Sequence, residues 1–166
     1  MPPSTYTGTP ANDIVTLSAN EYISYTSIDL DSGTDTLNVK VSGSVDISGG
    51  SAPVLTSVEK RNLIGTKYDD SITLTGAQLD AFTSVNLGSG SADAINLKST
   101  STGLNTLSDG ALVNVEIISA ATAGSGVDIN LGNQTEAFTI IGSASDDILT
   151  GGSGNDTLTG GLGADT

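Results

Sequence analysis

The sequence predicts an all-β chain, a right-handed parallel β-solenoid forming a single domain. Three observations carry this expectation. A nine-residue unit recurs in tandem at the C-terminal end, a longer unit recurs every 57 residues upstream of it, and the composition suits a thin rod better than a globule. Of the 166 residues 36% are apolar, only 4% are aromatic and 21 are Gly, so a core would have to be assembled from small aliphatic side chains.

Taken from the N-terminus, Met1-Pro2-Pro3-Ser4-Thr5 lacks the basic start and apolar run of a cleaved signal peptide, and no stretch reaches the length of a membrane span. Short β-patterned runs then recur every ten or so residues: Ile14 to Leu17, Ile28 to Leu30, Leu37 to Val41, Val45 to Ile47, Leu63 to Ile64, Ile72 to Leu74. Gly, Ser, Asn and Asp separate them, residues that form turns. Gly76 to Ala81 reads as a helical turn, with Glu21-Tyr22-Ile23 as its counterpart, and little other helix is expected. Inward positions are assigned to Ile14, Leu17, Leu37, Val39, Ile72, Leu74, Ile95, Leu97, Ile129, Leu131, Leu149 and Leu158. The rod is expected to have about eight coils of roughly 20 residues, hence a length of about 38 Å.

The long repeat sets the organisation. Gly8-Thr9-Pro10-Ala11-Asn12-Asp13-Ile14 is echoed by Gly65-Thr66-Lys67-Tyr68-Asp69-Asp70-Ser71, and Leu55-Thr56-Ser57-Val58-Glu59 returns as Leu112-Val113-Asn114-Val115-Glu116. A third copy starts at Gly142, 77 residues after Gly65, so about one coil is expected to be inserted, built from Val127 to Leu131 and Phe138 to Ile141. The division that follows is a solenoid over 1–141, made of the repeats 8–64 and 65–141, and a nonapeptide β-roll over 142–166.

That last segment reads Gly151-Gly152-Ser153-Gly154-Asn155-Asp156-Thr157-Leu158-Thr159 and then Gly160-Gly161-Leu162-Gly163-Ala164-Asp165-Thr166. Glycines at the first, second and fourth positions permit a tight turn whose carbonyls face inward, and the sixth-position Asp adds carboxylate oxygens. Each unit is one turn plus one short strand, and two units complete a coil, so residues eighteen apart stack. Asp147 then lies over Asp165, while Asp156 has only Phe138 at that spacing and is expected to form a half-site, filled when a second molecule or further sequence stacks upon it.

Oxygen donors in such turns suit Ca2+. A net charge of −14, from nineteen acidic and five basic residues, weakens a compact state unless cations neutralise it. With no Cys and no His, disulfides, thiol nucleophiles, imidazole bases and the common zinc ligands are all missing. The candidate metal ligands are Gly142, Ala144 and Asp147; Gly151, Gly152, Ser153, Gly154 and Asp156; and Gly160, Gly161, Leu162, Gly163 and Asp165. Asp70 and Asp146 are added from less regular turns, in which Thr66, Tyr68, Ser143 and Ser145 replace glycines and resist left-handed backbone. The calcium reading competes with plain Asx turns throughout. For Asp35, Asp93 and Asp128 a strand-entry turn with the carboxylate in solvent is expected. Lys60-Arg61, the one basic cluster with Lys67, is read as a solvated pair on a strand edge; the rival reading is a patch for acidic sugars.

The tandem nonapeptides resemble the RTX family, in which this pattern is the calcium-binding unit. The longer repeats resemble the β-rich regions of large type I-secreted surface proteins and adhesins of Gram-negative bacteria. That resemblance implies export through a type I channel by an uncleaved C-terminal signal, folding outside the cell on meeting calcium, and a cell-surface or extracellular location. The sequence ends before such a signal, as a portion of something longer would. Two functions stay open. One is a calcium-binding structural module of S-layer, filament or adhesin type, self-associating through its ends, with an extracellular polysaccharide or a cell surface as a further partner. The other is a secretion and folding module of a larger secreted enzyme. The chain itself is not expected to be an enzyme, to insert in a membrane, or to bind nucleic acid, since five basic residues make no phosphate-binding stripe.

Overall fold

The computed structural model describes residues 4–166, so Met1, Pro2 and Pro3 of the N-terminal stretch lie outside the described residues. The chain winds as a parallel β-solenoid of about seven turns. Its first coils each carry three short strands: β1 (Ser4–Thr7) and β2 (Ile14–Ser18); β3 (Tyr25–Asp29), β4 (Thr36–Lys40) and β5 (Ser44–Asp46); β6 (Val54–Thr56), β7 (Lys60–Thr66) and β8 (Ser71–Leu74). The middle coils follow with β9 (Ser84–Gly88), β10 (Ala94–Leu97), β11 (Leu112–Val113) and β12 (Ile117–Ser119). The last coils are simpler, with β13 (Asp128–Asn130), β14 (Thr139–Ile141), β15 (Ile148–Thr150) and β16 (Thr157–Thr159).

These strands stack into four parallel sheets, ordered β1-β3-β6, β2-β4-β7-β9-β11, β5-β8-β10-β12-β14-β16 and β13-β15. The third sheet runs nearly the length of the rod and shows how the coil shortens. Successive partners are Ser44↔Ser71, Ser71↔Ala94, Ala94↔Ile117, Ile117↔Thr139 and Thr139↔Thr157, steps of 27, 23, 23, 22 and 18 residues. Only the last has the eighteen-residue step of a two-nonapeptide coil. The wider N-terminal coils explain why there are about seven turns and not eight.

Parallel register stacks each inward side chain on its counterpart. Val45, Ile72, Ile95, Ile118, Ile140 and Leu158 form one column, and Leu17, Val39, Leu63, Val85 and Leu112 another. A fully buried aliphatic side chain contributes about 1.5–3 kcal/mol, so these columns are the main cohesive element. Ten of the twelve inward assignments are buried, and two are corrected. Ile14 is 77% exposed because Val15, not Ile14, pairs with inward Leu37. Leu158 is 45% exposed because it lies on the last rung of the described chain, with no rung over it.

Helix is confined to short turns. Ala19–Tyr22 (α1) and Gly76–Leu79 (α2) each have a capping box, Ser18 with Glu21 and Thr75 with Gln78. Gln78 also donates to the carbonyls of Ile47 and Gly50, tying α2 to the coil before it.

Two further expectations are corrected. Lys60-Arg61 is not on an edge, because β7 lies between β4 and β9; Arg61 pairs with inward Leu37, is half-buried, and its Nε is buried without a partner. Asp35 and Asp93 do not face solvent, since both are fully buried, whereas Asp128 is exposed as expected.

Candidate metal centre

The C-terminal turns are built by their glycines. Gly161 (φ 110°) and Gly163 (φ 120°) hold left-handed backbone, which a side chain would strain. A Cβ on Gly161 would strike the Ser143 carbonyl oxygen of the coil before, and one on Gly163 would stand 2.8 Å from the Ser145 oxygen. Carbonyl oxygens therefore crowd the space between the turns 142–147 and 160–165. Asp165 closes it: its Oδ1 accepts from the Asp147 N–H at 3.1 Å, and Oδ2 turns back toward Gly160, with no hydrogen bond to it among the described residues.

The turn 151–156 is made the same way on the opposite edge. Asp156 Oδ1 accepts from the Phe138 N–H at 2.8 Å, the eighteen-residue neighbour, and Oδ2 faces Gly151. This turn is better furnished than Phe138 alone would make it. The segment 131–137 packs against it, and added Cβ atoms on Gly152 and Gly154 would meet the carbonyl oxygens of Leu131, Gln134 and Glu136. Ser153 N–H donates to the Gln134 oxygen at 3.0 Å.

The turn 142–147 differs, and for a legible reason. Ser143 stands where the regular unit has its second glycine. Its N–H and hydroxyl donate to Asp147 Oδ2 at 2.6 and 3.1 Å, while Val127 N–H donates to Oδ1 at 2.7 Å. Thr66 does the same to Asp70 at 2.5 and 2.8 Å, with Gly43 N–H on the other oxygen at 2.6 Å. Thr9 does it to Asp13 at 2.6 and 3.1 Å. A hydroxyl in the second position thus occupies the carboxylate that a glycine leaves free. The pattern Gly-Ser/Thr-x-x-x-Asp was legible in the sequence, but it read there only as a defect in the turn.

Asp146 is exposed and accepts from Ala164 N–H at 2.8 Å, so it locks one turn to the next. Ala144, Ser153 and Leu162 are exposed loop positions whose carbonyls, not side chains, are the relevant donors. No three carboxylates converge among the described residues. A cation here would rest on backbone oxygens with one or two carboxylates, a donor set of hard oxygens that fits Ca2+, with its six to eight oxygen ligands at about 2.4 Å.

A rod of stacked parallel coils that ends in glycine turns lined with carbonyl and carboxylate oxygens defines a calcium-binding β-roll. The family model described as RTX calcium-binding nonapeptide repeat (4 copies) matches residues 139–166. That segment belongs to the RTX family, and its repeats bind Ca2+. No curated protein and no solved structure matches the chain. No helix among the described residues is long and apolar enough to cross a membrane.

Proposed function

We propose that the chain is a calcium-stapled structural module of a secreted bacterial surface protein, of S-layer, filament or adhesin type, whose product is a stiff rod that stacks end to end. One observation carries this reading. The Oδ2 atoms of Asp156 and Asp165 accept no hydrogen bond among the described residues although carbonyl oxygens crowd both turns. Like partial charges held so close repel unless a cation lies among them. Such weakly charged sites of backbone oxygens suit the high calcium outside cells, where modules bind at about 0.1–1 mM. RTX repeats are typical of secreted proteins, which supports the same location.

Assembly follows from the shape. The last rung presents β16 with Leu158 half-exposed and Leu162 at 72% exposure, an open parallel edge able to accept another strand. Sedimentation and circular dichroism, recorded while calcium is added to chelator-treated protein, test the proposal. The expected result is a gain of β signal followed by larger assemblies. If calcium and chelator leave both unchanged, the reading fails.

A further inference from the structure

The two long repeats contain a second kind of turn pair that neither the nonapeptide pattern nor the family match reaches. Asp35 and Asp93 are fully buried, and in each the Oδ2 atom has no hydrogen-bond partner. The other oxygen of each is held by the coil before it. Asp35 Oδ1 accepts from Asp13 N–H at 2.7 Å, and Asp93 Oδ1 accepts from Asp70 N–H at 2.6 Å. The coil after supplies a second carboxylate to each, since Asp35 N–H donates to Glu59 Oε2 and Asp93 N–H to Glu116 Oε2, both at 2.7 Å. Two acidic side chains are thereby gathered at each place, and a buried carboxylate oxygen facing nothing is costly.

The geometry repeats that of the C-terminal centre. Asp165 stands to Asp147 as Asp93 stands to Asp70 and Asp35 to Asp13, each accepting the N–H of the Asp one coil earlier. The backbone agrees. A Cβ on Gly33 would lie 2.8 Å from the Ala11 carbonyl oxygen and 3.0 Å from Asp35 Oδ1. One on Gly90 would lie 2.7 Å from Asp93 Oδ1 and 2.9 Å from Asp69 N. These glycines sit under the earlier turn as Gly163 sits under Ser145. In all three places an earlier turn with a hydroxyl-capped Asp covers a later turn with a free one.

We propose that the upstream solenoid holds two further calcium ions, one at Asp35 between the turns 8–13 and 31–35, the other at Asp93 between the turns 65–70 and 88–93. Asp35 and Asp93 Oδ2 are the anchoring oxygens, Glu59 and Glu116 are the second carboxylates, and backbone carbonyls such as that of Ala11 complete the shell. The proposal rests on the calcium-staple reading above but extends it from the last coils to the whole rod.

Native mass spectrometry of the full chain in calcium buffer tests it. Asp35→Asn and Asp93→Asn are each expected to remove one calcium ion, since the amide oxygen can still accept from Asp13 or Asp70 N–H while the charge is lost. A variant with Asp156→Asn and Asp165→Asn is expected to keep both upstream ions. Should the Asn substitutions disturb folding, amide NMR of the unsubstituted chain gives an independent reading: the Asp13 and Asp70 N–H resonances should move on adding calcium, and should still move in the Asp156→Asn/Asp165→Asn variant. If the ion count in Asp35→Asn/Asp93→Asn equals that of the unsubstituted chain and these two resonances stay fixed, the upstream turns hold only water and the proposal is overturned, while the C-terminal staple stands. If the unsubstituted chain takes up no calcium anywhere, both fall together.

Discussion

Replacing Asp147 with Ala separates the structural work of this carboxylate from its metal work. Asp147 is 1% exposed, and its two oxygens accept from the N–H groups of Val127 and Ser143 and from the Ser143 hydroxyl. Truncation orphans two buried N–H donors, each costing about 1–3 kcal/mol, so the loss should be about 2–6 kcal/mol with no metal present. Against a typical domain stability of about 5–15 kcal/mol, that is enough to open the last coils locally. Asp146→Ala is the control: it removes one exposed bond from Ala164 N–H and should cost about 1 kcal/mol or less. Urea unfolding in chelator, with hydrogen exchange read on 127–150, measures both. A loss below about 1 kcal/mol for Asp147→Ala would refute the claim that this carboxylate caps its own turn, and would return it to the pool of free calcium ligands.

Other outcomes follow from the same coordinates. Ile118→Ala, in the middle of the column between Ile95 and Ile140, should cost about 2–5 kcal/mol in chelator or calcium alike, measured by urea unfolding. Gly161→Ala should weaken calcium uptake, measured calorimetrically, because the new Cβ strikes the Ser143 oxygen and the backbone at φ 110° resists a side chain. Tyr22 is fully buried, and desolvation raises its pKa to about 12, partly offset by the Arg61 charge. Stability from the neutral phenol is present below the unfolded value near 10 and is lost as pH rises through about 12, so phenolate absorbance and unfolding should appear together.

Strand positions were legible because the solenoid makes each inward residue solve the same problem. Ile72, Ile95 and Ile129 alternate with polar residues and are buried as that alternation requires. Ile14 misled because Ile14-Val15 offers two apolar neighbours, and only the partner rung, with Leu37 opposite Val15, decides the phase. The nonapeptide turns were legible from their glycines. The burial of Asp35 and Asp93 was not, since a carboxylate before a strand looks alike whether its neighbour is water or the next coil's N–H. Arg61 escaped for a related reason: β7 sits between two other strands, a fact that local sequence does not contain.

The 57-residue period carries the deepest consequence. If it counted whole coils, equivalent turns would stack on one face. Instead the first copy leads into β2 in the second sheet, the next into β8 in the third, and the third into β15 in the fourth. With steps of 22 to 27 residues, 57 spans about two and a half turns, so each copy arrives on a different side of the rod. Interactions between coils are local, so a repeat gains nothing from lying above its own copy. What each copy needs is one coil before and one after, to give and accept the Asp N–H bonds. Spacing the hydroxyl-capped turns at half-integral turns distributes their negative charge around the rod, where a single face would concentrate it. In a chain of net charge −14, that separation lowers repulsion among the turns.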